Sequence, residues 1–172
     1  LSDALGRVHD AGITTGDVVA VIGAGVMGNQ CGQLSQVLGA SETFAIDIDP
    51  NKIELAESLG MTGIDASEVD PVEEVLDRTN GIGPDVVFSA VGGNQSNATS
   101  GDDPRAQALQ MVRKGGTIVQ VGIIFSEEMT FEPGAMMRSS VDIVNPVSYG
   151  GIRETGPNRT AGDYAAQLVA SD

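Results

Sequence analysis

Cysteine, histidine and basic side chains are scarce in this chain, and each shortage removes a class of function. The single Cys31 leaves no internal disulfide and no cysteine-rich metal cluster. With His9 as the lone histidine, little remains for imidazole ligation of a metal, so no metal ligand is assigned within this chain. Nine Lys and Arg stand against 24 Asp and Glu, a net charge of -15, which makes nucleic acid and anionic membrane poor partners. No apolar run approaches the ~18 residues of a membrane span. Residues 1–12 lack the basic start and apolar stretch of a secretion signal, so the cytoplasm is the expected compartment.

The acids are scattered (Asp3, Asp17, Glu57, Asp77, Asp163) rather than gathered in a tail, which argues against disorder. Dense carboxylates with Lys52 and Lys114 as the only lysines are the surface expected of a salt-loving organism, where high salt screens self-repulsion. Unfolding curves at low and high KCl test that expectation, and equal stability in both refutes it. At 172 residues, 41% of them hydrophobic, the chain fits one domain (1–172) with a real core. It opens on Leu1 rather than Met, the start expected of a piece cut from a longer protein.

What is abundant is glycine, and three glycines carry the strongest signal. An apolar run, Val18–Ile22, leads into Gly23, Gly25 and Gly28 in G-x-G-x-x-G spacing. A helical segment and a second apolar run ending at Asp47 follow. Strand, glycine turn, helix, strand and acid, with the acid about 20 residues past the last glycine, is the order that holds a dinucleotide. Gly23 allows the tight turn, Gly25 clears a side chain from the path of a pyrophosphate, and Gly28 lets helix and strand pack closely. A helix starting near Val26 would aim its unpaired N–H groups and dipole at the phosphates.

The rest of the chain continues the alternation. Strands are expected at 18–22, 43–48, 62–64, 85–90, 117–123 and 140–147, all apolar enough to be buried on both faces. Helices are expected within 1–14 and at 26–38, 50–59, 71–79, 104–112 and 161–170. Asp49-Pro50, Asp70-Pro71 and Asp103-Pro104 each place a capping carboxylate before a proline at the first helical position. Alternating βαβ units predict an α/β fold with a doubly wound six-stranded parallel sheet. Residues 92–103 form a polar loop long enough for a lid.

Read together, these pieces resemble the cofactor domain of the medium-chain, zinc-dependent alcohol dehydrogenase family, its polyol and threonine dehydrogenase branch in particular. The matching stretches are Ala11-Gly12-Ile13, Thr15-Gly16-Asp17 running into Gly23-Ala24-Gly25, and Gly39-Ala40. Asp47-Ile48-Asp49 with Lys52, Gly83-Pro84-Asp85-Val86-Val87-Phe88 and Lys114-Gly115-Gly116-Thr117-Ile118-Val119 complete them. The resemblance implies roles. Val26 and Met27 amides with Gly25 would hold the pyrophosphate, and the Met27 side chain would pack behind the nicotinamide. Asp47 would take the adenosine ribose hydroxyls, with Lys52 beside the same ribose. Ala90, Val91 and Gly92 would lie where the cofactor crosses the fourth strand. Val121, Gly122 and Ile123 would flank the nicotinamide, and Ile143, Val144 and Asn145 would offer backbone groups to its carboxamide. A carboxylate at position 47 favours NAD over NADP, because it bonds a 2′-hydroxyl and repels a 2′-phosphate.

The family's zinc ligands come mostly from a domain ahead of this one, so the zinc is expected in the full-length enzyme and not on this chain. No catalytic residue is assigned here: His9 reads as a solvated histidine and Cys31 as core. Asp3 departs from the family, whose members usually carry a small neutral or apolar residue there. The implied activity is hydride transfer between a secondary alcohol or polyol and NAD, with a homodimer paired through the last strand. An NAD-sensing regulatory domain is the alternative, and a methyltransferase a third reading. Lys-Gly-Gly-Thr-Ile-Val followed by another strand suits the dehydrogenase better than the sensor, and Met27-Gly28 departs from the G-x-G-x-G of methyltransferases.

Overall fold

A computed structural model describes residues 2–92, 103–123, 134, 137 and 139–145. Eleven elements follow in order: α1 (Ser2–Asp10), β1 (Val18–Ile22), α2 (Val26–Val37), β2 (Glu42–Asp47), α3 (Pro50–Ser58), β3 (Thr62–Asp65), α4 (Pro71–Arg78), β4 (Val86–Ser89), α5 (Pro104–Met111), β5 (Thr117–Gln120) and β6 (Asp142–Val144). The strands form one sheet in the order β3-β2-β1-β4-β5-β6, every neighbouring pair parallel. The chain therefore starts at the centre, winds outward through β2 and β3, then returns to lay β4 against β1. That reversal opens a crevice at the carboxyl ends of β1 and β4, where open α/β sheets take ligands.

Strand alternation sorts the core into two faces. Val19 and Val21 of β1 pack with Phe88, Val119, Ala4, Val8, Cys31 and Leu34 beneath α1 and α2. Ala20 and Ile22 point the other way, to Phe44, Ile46, Val87, Val75, Ala108 and Met111 beneath α4 and α5. Phe88 is fully buried at the centre, a burial that stabilises by about 2–3 kcal/mol.

Three helices begin as the sequence reading expects. Asp49 accepts from the Asn51 amide, Asp70 from the Val72 and Glu73 amides, and Asp103 from the Arg105 amide, each ahead of a proline. The carboxyls of Asp49 and Asp103 are held below their ordinary range, first by hydrogen bonds from the side chains of Asn51 and Arg105 respectively and further by the same residues' capping amides. The expected elements that fall on described residues appear in the expected order and type, with ends trimmed. β5 stops at Gln120 rather than 123, and β6 runs over Asp142–Val144, positions 146–147 of the expected strand lying outside the described residues. Gln120 is the last residue of β5 to pair with β4, opposite Ser89, and the described β5–β6 register runs to Val119 opposite Val144. The expected helix at 161–170 and loop residues 93–102 lie outside the described residues.

Candidate dinucleotide site

The glycine turn has the geometry its spacing demands. Gly23 sits at φ 97°, and a Cβ there would come within 2.9 Å of Val91 Cγ2 and 3.0 Å of the Val91 amide nitrogen. A Cβ on Gly28 would land on the Gly23 carbonyl oxygen, so the close approach of α2 to β1 requires glycine. Gly25 differs from both. Its backbone (φ -72°, ψ -172°) suits any residue, and a Cβ there would meet no atom within 4 Å. The space in front of Gly25 is open, which is what an approaching phosphate needs.

Gly25 is also the N-cap of α2, without a side-chain capping bond and with no acidic residue in the first turn. The positive end of this 12-residue helix thus faces the open crevice uncompensated. Val26 beside it is exposed, whereas Met27 turns down against the α1/α2 face of the core.

Asp47 stands at the end of β2, beside the glycine turn. Its carboxylate, only 8% exposed, accepts from the Ala24 amide through Oδ2 (2.9 Å) and from the Ile48 and Asp49 amides through Oδ1 (2.9 and 3.0 Å). Lys52 Nζ stands 3.3 Å from Oδ1. The acid expected to meet a ribose therefore also ties the end of β2 to the glycine turn.

At the other end, β4 and β5 run out side by side. The Val121 and Gly122 amides both donate to the Ser89 carbonyl at 2.9 Å. A Cβ on Gly122 would land on the Val91 carbonyl oxygen, and one on Gly92 would come within 3.0 Å of the Ile123 carbonyl oxygen. Ala90, Val91, Val121, Gly122 and Ile123 thus form one backbone-lined rim, with Val121 buried and Ile123 exposed. On β6, Ile143 is exposed and Val144 half-buried.

The remaining sequence candidates are accounted for separately. His9 is exposed beside Asp10 on α1. Cys31 is wholly buried, and burial pushes its thiol up to about 12. Among the described residues no group of three His, Cys, Asp or Glu side chains converges. A groove of about 490 Å³ opens at the opposite pole, lined by Val18, Glu42, Thr62, Arg78, Asp85 and Arg113 among others. Its charged groups are already matched: Arg113 to Asp85 (2.5 Å), Arg78 to Glu74 (2.6 Å) and Glu42 to Thr62 (2.5 Å).

Two residues of the rim were missed from the sequence. Arg7 of α1 is buried and donates from Nη1 to the Gln120 carbonyl (2.9 Å), and Gln120 Nε2 donates to the Gly122 carbonyl (2.8 Å). The available signal was Arg7's position, in helical register with the apolar Ala4 and Ala11.

The fold and its switch-point site define a doubly wound dinucleotide-binding type of domain. The zinc-binding dehydrogenase family profile matches residues 26–161. The chain is 32% identical over 171 residues to a probable D-xylulose reductase A of Aspergillus fumigatus, covering 95% of this chain and 42% of that protein. Among solved structures it is similar to the alcohol dehydrogenase TADH of Thermus sp. ATN1, at 38% identity and TM-score 0.75 over 83% of this chain and 39% of that one. It also superimposes on a zinc-binding dehydrogenase of Sinorhizobium meliloti bound to NADP, at 26% identity and TM-score 0.79, covering 99% and 46%. The chain belongs to the zinc-binding dehydrogenase family. It spans less than half the length of the curated relatives it matches.

Proposed function

We propose that this chain holds NAD(H) along the carboxyl edge of its sheet, and that the whole protein is an NAD-dependent alcohol or polyol dehydrogenase. The observation that carries the reading is the α2 N-terminus, uncapped and facing open space at Gly25. Backbone amides there bind a pyrophosphate. The bound cofactor supplies the hydride acceptor or donor, and the protein supplies position and electrostatics. On this chain the Gly25–Gly28 turn orients the phosphates, Asp47 accepts from the ribose, and the 90–92 and 121–123 rim borders the nicotinamide. By the same reading, the family's zinc ligands and most of the alcohol pocket are assigned to residues outside this chain.

NAD is favoured over NADP because Asp47 has no freedom to turn aside. Three backbone amides fix its carboxylate, and a 2′-phosphate brought to the end of β2 would meet that charge. In calorimetry the wild type should bind NAD about tenfold or more tighter than NADP, and Asp47→Ala should erase the difference. Equal affinity of the wild type for both cofactors overturns the assignment. We further propose pairing of two copies through β6, whose Ile143 is exposed on the last strand of the sheet; a monomer in sedimentation would refute it.

A further inference from the structure

A buried arginine on an apolar helix face is costly, and among the described residues this one is held by the Asp3 carboxylate and by the Gln120 carbonyl at the rim of the site. Arg7 has 6% of its side chain exposed. Its Nε donates to Asp3 Oδ2 (3.2 Å) and its Nη1 to the Gln120 carbonyl (2.9 Å). That carbonyl belongs to the residue just past the last described β5–β6 pair, Val119 with Val144. Gln120 in turn donates from its side chain to the Gly122 carbonyl. Asp3, Arg7, Gln120 and Gly122 thus form a strap from the first turn of α1 to the loop after β5.

An apolar residue at position 7 would fill the same space beside Ala4, Val8 and Ala11 without taking a charge out of water. What only the guanidinium provides is direction: a planar fork that holds a carboxylate and a carbonyl at once. We infer that Arg7 is a positioning residue for the cofactor, oriented by Asp3 and acting through Gln120 to set the 121–123 loop against the nicotinamide end. The inference rests on the cofactor reading above and adds to it a residue and a direction of action.

The glycine turn and Asp47, which serve the adenosine and pyrophosphate, lie outside the strap. Arg7 therefore matters for the nicotinamide and not for the rest of the molecule. The test compares NAD with ADP-ribose, which lacks the nicotinamide, by calorimetry on the 172-residue chain. Arg7→Met should weaken NAD about tenfold while moving ADP-ribose less than about twofold. Arg7→Lys, which keeps the charge and stem but not the fork, should fall between and serves if the methionine variant does not fold. Amide exchange gives a readout free of ligand: in either variant Val121 and Gly122 should exchange faster while α4 amides stay unchanged. Parallel loss of both ligands, faster exchange throughout, or a wild type that binds both ligands equally overturns the strap. A wild type that binds neither ligand overturns the cofactor reading itself, and the strap with it.

Discussion

Helices α3, α4 and α5 begin in one way and α2 in another. The first three open with aspartate and proline, and each aspartate accepts the N–H groups that the helix leaves unpaired. α2 opens with glycine, takes no side-chain cap and carries no acid in its first turn. In a chain with 24 acidic residues, leaving this one terminus bare is a departure from the chain's own habit. A capped terminus serves stability, because its donors are spent. An uncapped one facing open space keeps its donors and its dipole for a ligand.

The comparison can be broken most directly by giving α2 the cap its neighbours have. Gly25→Asp should lower NAD affinity about thirtyfold, or about 2 kcal/mol, by placing a like charge where the pyrophosphate lies. The melting temperature should hold or rise, since the backbone at 25 suits any residue and its Cβ has room. Unchanged affinity in calorimetry would mean that this terminus is not the phosphate site. The converse change is Asp70→Ala, which removes a cap from α4. It should cost about 1 kcal/mol in denaturant unfolding and leave NAD affinity untouched.

Acid provides the mildest contrast. The carboxyls of Asp49 and Asp103 are lowered from 3.8 in the folded chain. Their contribution to stability is therefore complete above about pH 3.8 and is lost as pH falls below it, toward their folded values. The Asn51 and Arg105 amide shifts should titrate with midpoints under 3.8, while those of Val26 and Met27 should show no capping transition. A titration of Asn51 at or above 3.8 would remove the cap's share in holding α3.

How much was readable beforehand differs between these same regions. Asp-Pro starts and the G-x-G-x-x-G spacing are local chemistry, and the helices begin at the residues they name. Asp47 was identifiable from its place after the second strand, but its second role, accepting from the Ala24 amide, joins residues 23 positions apart and has no local signature. The roles of the rim at 121–123 came only through family resemblance, and the strand expected there ends at Gln120, opposite Ser89, the last residue of β4. Nothing local marks Arg7 as part of the site, since arginine is ordinarily an exposed side chain. Its acceptor on Gln120 is 113 positions away.

The sequence by itself determined the order of strands and helices, which helix ends are sealed and which one is left bare, and the acid after the second strand. These follow from backbone geometry and hydrogen bonding within a few residues. Only the tertiary structure decided that the bare helix end faces open space, that the Asp47 carboxylate is pinned by three amides, and that a buried Arg7 reaches the far side of the site. Those facts depend on which strands lie side by side, and the winding of the sheet sets that by burying both faces at once.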